Sequence, residues 1–592
     1  MMLRYRTILA ALFLFANLTS SGRLYGAESP GGDFGIEHVR NIHFSHVTKI
    51  LSWQDPQSGR FYPDGESGGL ANQGLMYPLA VAWLVADETV DRNHLLRGIE
   101  QTVKALLDGI SQDGTVELVG TDGAVWKRHR DPWLYLHMIR TYFIVKGELN
   151  PDLEKRWRHV LVEGFGRIAG QELLHARPHN LPLVQAVALN IASSVFDRPS
   201  WQNVARTFIR SVIAEQSQEG YWSEHQGPVV DYNFVYLYAL GIHYTETADE
   251  ATRHALEKGV SFQYQMRYLD GSSIETVDER NYYKSEPREG NIGFAFSDDG
   301  VRFINEQYAT TKYLWYYFSA DLLNYQDRIE KRILSEKLNR QPVSFISDKR
   351  RIAVRHDGSW QRVVSAHVAK QSPSRWIQDR QNFLSIFHKD VGLIVGGGNT
   401  KLQPRWSTFA VGATNLMEGR GGETPDFIAP TGLVYTPDSA EVLSSDDFGV
   451  RLKYGLEEAI VRTWIRNDRS LAVEYTRVTE NATPMTAHMT IIPYTGTSIT
   501  PGKGRKTILG SEPFVWSAGS FGDQFEHNGV RYTVPSDATV RWPVYPYDPY
   551  RKDGRAALKN ARIVVELPFS KTVRRHLLQI DVLSVGERSE RK

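Results

Sequence analysis

The hydrophobic period of this chain changes once, near Pro342, and that change limits what it can fold into. From about residue 36 to 335, segments such as "ANQGLMYPLAVAWLVA", "DPWLYLHMIRTYFIV", "WQNVARTFIRSVIAEQ" and "DYNFVYLYALGIHY" carry apolar residues at three- and four-residue spacing. That is the repeat of an α-helix. From about residue 343 to 585 the pattern turns to alternation and β-branched residues, as in "RIAVRHDG", "QRVVSAHVA", "NFLSIFHKDVGLIVGGG" and "ARIVVELPF". Turn signals such as "HDGS", "RNDRS" and "KDGR" divide these short runs, which predicts an antiparallel β-sandwich behind a helical domain.

The helical segments hold more apolar residues than a one-sided surface helix needs, which suits two packed layers. Between them a glycine loop recurs: "QSGRF" at Gly59, "QDGTV" at Gly114, "QEGYW" at Gly220 and "LDGSS" at Gly271. The gaps are 55, 106 and 51 residues, and the middle one is about twice the others. A unit of about 50 residues fits two helices and their turns at about 1.5 Å per residue. Repeated helical hairpins of this kind predict a complete or incomplete (α/α) toroid over 28–340, followed by the antiparallel β-sandwich over 341–592.

The first 27 residues have a different character. Arg4 and Arg6 precede an apolar run over 8–16, and small residues follow to Ala27. This is the pattern of a cleaved secretory signal, too short for a membrane span. The chain has no Cys, so a secreted or periplasmic protein here stands without disulfides. With 69 basic against 68 acidic residues, net charge +1, no global field points to nucleic acid or a membrane surface. An anionic partner must be met by a local cluster.

Phosphate loops, HExxH and paired Cys ligands are absent and there is no convincing Gly-x-Ser-x-Gly elbow, which disfavours nucleotide, zinc-protease and esterase chemistry. Three polar clusters remain in the helical half. "WKRHRDPW" holds Arg128, His129, Arg130 and Asp131, and "ARPHN" holds Arg177, His179 and Asn180. The third stretch holds Trp222, Glu224, His225, Asp231, Tyr232, Tyr236, Glu275, Asp278, Arg280, Tyr282, Tyr283 and Lys284. A ring of hairpins places its loops on common faces, so Arg128, Arg130, Arg177, Arg280 and Lys284 are expected to share one cleft for an acidic polymer.

Tyr, His, Asn and Arg without an obvious nucleophile suit β-elimination from a uronic acid. The C5 proton becomes acidic once Asn, His or Arg donors neutralise the adjacent carboxylate and stabilise an enolate-like intermediate. A Tyr or His then takes the proton, and the same or a second group protonates the leaving oxygen.

Two segments resemble a known family. "PHNLPLVQAVALNIASSVFDRPSW" and "IAEQSQEGYWSEHQGPVVDYNFVYLYAL" are similar to consecutive stretches of heparinase II/III-type and alginate-type toroid lyases. The resemblance implies that Asn180, with His179, neutralises the carboxylate and that Tyr232 is the base. Arg280 and His225 join them as catalytic candidates, while Arg130, Arg177, Tyr236, Tyr282, Tyr283, Lys284 and Trp222 are expected to bind substrate. The order here is His-Asn where the family usually reads Asn-His, so either side chain can be the neutraliser. Where the family's sandwich often carries an "H…H…D" motif, this chain has Asp379, Arg380 and His388. No metal or cofactor is therefore expected, and Tyr232 serves as both base and acid.

Alternatives remain. Asn180 also has the residue type of a helix cap. Paired carboxylates, Glu224 with Asp231 or Glu275 with Asp278, would serve a toroid glycoside hydrolase. A non-catalytic glycan-binding protein is the third. The oligomeric state is left open.

Overall fold

The computed structural model describes residues 35–64, 69–119, 125–224, 226–280, 286–330, 333–334, 344–347, 349–417, 429–443, 448–480, 483–551 and 553–584. The expected signal segment, 1–27, lies outside them, as do His225, Tyr282, Tyr283 and Lys284. Two compact units emerge: one of residues 1–224, 232–264 and 288–339, the other of 225–231, 265–287 and 340–592. Two short segments from the helical half of the sequence thus belong with the β unit.

The helical unit contains α1 (Ile36–Ser52), α2 (Met76–Val85), α3 (Arg92–Gly109), α4 (Pro132–Val145), α5 (Pro151–Arg167), α6 (Asn180–Val195) and α7 (Pro199–Ala214). It continues with α8 (Val230–Thr247), whose first two residues fall in the other unit, then α9 (Glu250–Gln265), α10 (Asp298–Thr311) and α11 (Tyr316–Asn324). Burial separates two kinds of helix. In α4 and α6 nearly every residue is buried, whereas α7 buries only Ala205, Phe208, Ile209 and Val212, one stripe at helical spacing. Helices apolar all round lie inside, and one-sided helices lie outside them.

Starts and stops follow local chemistry. Asp91, Asp131, Asn150 and Ser297 each accept a backbone N–H from the first turn of the helix they precede, and Pro132 and Pro151 occupy first-turn positions. The four recurring glycines all have positive φ, between 71° and 95°. Three of them make the same turn: Gly114 N–H to Ser111 O, Gly220 N–H to Ser217 O and Gly271 N–H to Tyr268 O. At Gly220 a Cβ would sit 2.2 Å from the Lys258 carbonyl oxygen, so only glycine fits. Gln54 and Gln216, each just before such a loop, donate to the loop carbonyls of Gly59 and Gly220 and to the carbonyls of Gly98 and Ala255 in α3 and α9.

One departure from all-helical structure is an antiparallel hairpin, Val116–Val119 with Val125–His129. Its β-branched valines favour the strand.

In the β unit, a nine-stranded sheet runs from Ser439–Val442 through Glu457–Asn467 and Ser470–Arg477 to Thr507–Ile508. A ten-stranded sheet runs from Phe345–Ile346 through Trp360–Ser365 and Met485–Ile491 to Phe514–Ser517. Every strand pair described is antiparallel. Residues of both sheets, among them Val461, Val473 and Ile580 from one and Ile386, Met489 and Val565 from the other, form a single core. Strands Trp360–Ser365 and Leu384–His388 are buried on both faces. Segment 265–287 covers one of those faces: Tyr268 stacks on Phe387 and donates to Ser385, and Gln361 donates to the Arg267 carbonyl.

Candidate active site

In the helical unit the site begins at the N-terminus of α6. The capping position belongs to His179, whose side chain makes no capping bond, and Asn180 is the first helical residue. The carboxamide of Asn180 splits its duties. Its Oδ1 accepts the Leu181 N–H at 2.6 Å, while Nδ2 is fully buried with no hydrogen-bond partner among the described residues. A buried donor left unmade costs about 1–3 kcal/mol, so this geometry is retained at a cost to folding.

Around it lies a compact polar group. His179 Nε2 is 2.7 Å from Glu224 Oε2, and Tyr236 donates its hydroxyl to Glu224 Oε1 at 3.3 Å. Burial, then the Glu224 charge beside it, pushes the Tyr236 phenol well above its ordinary range, so it stays protonated. Tyr232 precedes Tyr236 by four residues, which puts both on the same face of α8 with Tyr232 one turn nearer the N-terminus.

Two expectations for substrate binding are corrected here. Trp222 is 2% exposed, stacks on Tyr236 at 5.0 Å and donates its indole N–H to the Val212 carbonyl, so it is a core residue without a face for a sugar. Tyr236 is equally buried, and its hydroxyl is engaged by Glu224.

The first sequence cluster is held by two residues that flank the second, Glu172 and Gln185. Arg130 Nη1 donates to Glu172 Oε1 at 2.6 Å, and Gln185 Nε2 donates to Glu172 Oε2 at 2.6 Å and to the Arg130 carbonyl at 3.2 Å. Glu172 ends a π-helical turn, Ile168–Glu172, that interrupts the helix begun by α5. Arg130 is thereby held in a half-buried ion pair rather than offered to a polymer, and Arg128 pairs with Glu117 at 3.1 Å. Arg177 is exposed. Sequence reasoning missed Glu172 and Gln185. The glutamine stood in plain view in "PHNLPLVQ", but nothing local marks its partner.

In the β unit, Arg280 is 3% exposed. Its Nη2 donates to the Tyr550 hydroxyl at 3.0 Å, and its guanidinium lies 5.6 Å and 5.9 Å from the ring centres of Tyr550 and Trp376. Asp278 accepts the N–H groups of Val230, Asp231 and Arg280, acting as a cap for the start of α8. Glu275 accepts from Tyr268 and from the Gly397 N–H, and burial raises its carboxyl above the usual carboxylate range. Both carboxylates of the Glu275–Asp278 hydrolase alternative are thus committed to internal bonds. Asp379 pairs with Lys401 at 3.1 Å and accepts from Tyr435, Arg380 donates to the Val277 carbonyl, and His388 bonds the Asp468 carbonyl. Among the described residues no group of three His, Cys, Asp or Glu side chains is placed to hold a metal, and no helix is long and apolar enough to cross a membrane.

No family model matches the sequence, and no curated protein sequence does either. Solved structures do. Heparinase III aligns over 97% of this chain and 90% of its own at a TM-score of 0.52 and 11% identity. A chondroitin AC lyase variant from Streptomyces coelicolor aligns over 98% and 83% at 0.50 and 11%. A Paenibacillus xanthan lyase aligns over 93% of this chain at 0.50 and 9%, and the present chain spans 57% of that enzyme's length. At such identities the likeness establishes the fold, a helical (α/α) toroid followed by an antiparallel β-sandwich, which the sequence pattern had predicted.

Proposed function

We propose that this protein is a polysaccharide lyase that cleaves a uronic-acid-containing glycan by β-elimination. The observation that carries the reading is the buried, unpartnered Nδ2 of Asn180 beside the His179–Glu224 pair. A buried donor without a protein partner is suited to a carboxylate that reaches it as the surrounding side chains give way. The fold is one that heparinase III, chondroitin AC lyase and xanthan lyase also adopt.

Asn180 and His179 neutralise the uronate, so that charge developing on it at C5 deprotonation meets fixed donors. Tyr232, in the first turn of α8, takes the C5 proton. The positive end of the helix favours its phenolate. The electron pair forms the C4–C5 double bond as the C4–O bond breaks, and the tyrosine returns the proton to the leaving oxygen. Arg280 and His225 keep the roles their residue types suggest, a carboxylate partner and a second proton-handling group.

The test is a panel of acidic polysaccharides, alginate, ulvan, heparan and chondroitin types, monitored in the ultraviolet for the unsaturated product. Absorbance growth on one member supports elimination. New reducing ends without absorbance would replace it with hydrolysis, and binding without either would leave a glycan-binding protein.

A further inference from the structure

We infer that Tyr550 and Trp376 are positioning residues for Arg280, an inference that rests on the lyase reading for Arg280's role but not for its geometry. The two aromatic side chains come from loops far apart in sequence, and both are half-buried. They lie 5.9 Å apart, and the Arg280 guanidinium is within cation–π range of each ring while donating to the Tyr550 hydroxyl. A guanidinium held by two faces and a hydrogen bond loses the rotational freedom that makes arginine a loose ligand.

The clamp is itself braced from beneath. Lys401, fully buried, donates to the carbonyls of Ser372 and Ile377 and to Asp379, which fixes both ends of the loop that carries Trp376. Asp379 is secured in turn by the Tyr435 hydroxyl at 2.8 Å. The other loop is tied at Tyr547, whose N–H donates to Thr400 Oγ1, and Arg375 links the two by donating to the Pro549 carbonyl at 3.0 Å. A buried ammonium that reaches three oxygens is costly to assemble and rigid once made. The chain thus commits a buried ion pair to shaping the surroundings of one arginine.

Two variants of the full chain, Tyr550→Phe and Trp376→Phe, test this by two readouts. The first is the rate of phenylglyoxal modification at Arg280, mapped by peptide mass, with the buried Arg562 as an internal control for unfolding. Release of a charge-assisted hydrogen bond is expected to speed Arg280 labelling by about tenfold while Arg562 stays protected. The second is turnover: Tyr550→Phe is expected to lower kcat by about tenfold with KM little changed, and to add nothing further in an Arg280→Lys background. Unchanged Arg280 labelling in both variants would overturn the proposal, as would effects that simply add to those of Arg280→Lys. If the unmodified protein acts on no polysaccharide, the lyase reading fails, and the labelling still decides the positioning.

Discussion

The His179 ring and the Glu224 carboxylate stand 2.7 Å apart although 45 residues separate them, and Glu224 is also the acceptor for Tyr236. Glu224 therefore fixes two side chains at the α6 and α8 ends of the site. Glu224→Gln keeps the shape and removes the charge. It should lower kcat/KM by at least about tenfold, because a charged hydrogen bond is replaced by a neutral one. Steady-state rates beside a thermal melt check this, and unaltered rates would confine the pair to a structural role.

Asn180 can be tested at each end of its carboxamide, because its two amide atoms do different things. Asn180→Asp keeps an oxygen for the Leu181 N–H but sets a negative charge where the donor was. Stability should also fall, by roughly 3–5 kcal/mol, because the new carboxylate is fully buried with no partner for its charge, so turnover is compared on protein shown to be folded by its melt. Turnover should fall by about a hundredfold or more, the usual worth of a lost charge-stabilising donor. Asn180→Ala should lose both. An active Asn180→Asp enzyme would remove the carboxamide from the mechanism.

For Tyr232 the expected outcome is loss of chemistry with binding kept. Tyr232→Phe should lower kcat by about two to four orders of magnitude and leave glycan affinity in place. Retention of more than about a tenth of turnover would assign the proton to another group.

How much of this was legible follows from the range of each signal. The helix-to-strand switch and the glycine turns are local: a period needs only neighbouring residues, and Gly59, Gly114, Gly220 and Gly271 sit where positive φ demands them. The His-Asn pair was visible because it opens an apolar helix. What the sequence concealed is long-range pairing. Glu224 read as a hydrolase carboxylate because its partner His179 lies 45 positions earlier in the chain, and Arg130 read as a substrate cation because Glu172, its acceptor, arrives through a π-helical turn. Trp222 shows the same limit: a tryptophan near a polar cluster looks like a sugar platform until its burial is seen. Tyr550 and Trp376 reach Arg280 across spans of 270 and 96 residues, beyond any local pattern.

Several buried histidines predict how the fold answers acid. His43 in α1 is fully buried, with Nε2 on the Pro78 carbonyl and Nδ1 beside the Ser319 hydroxyl, and burial, followed by the nearby His46, pushes its pKa down to about 3. Burial likewise lowers His243 and His488 to about 4. An unfolded histidine accepts its proton near pH 6.5, so below that pH the unfolded chain binds protons that the folded one refuses. Stability is therefore complete above about pH 6.5 and falls as pH drops toward the folded values, by about 2 kcal/mol at pH 5 for each such group. Melting temperature should decline steadily between pH 7 and 5. His43→Gln, which can still donate to the Pro78 carbonyl but does not titrate, should show a shallower decline even where its melting temperature at pH 7 is lower. A decline as steep as that of the unaltered protein would mean that His43 takes up its proton in the folded state, and the acid sensitivity would have to come from elsewhere.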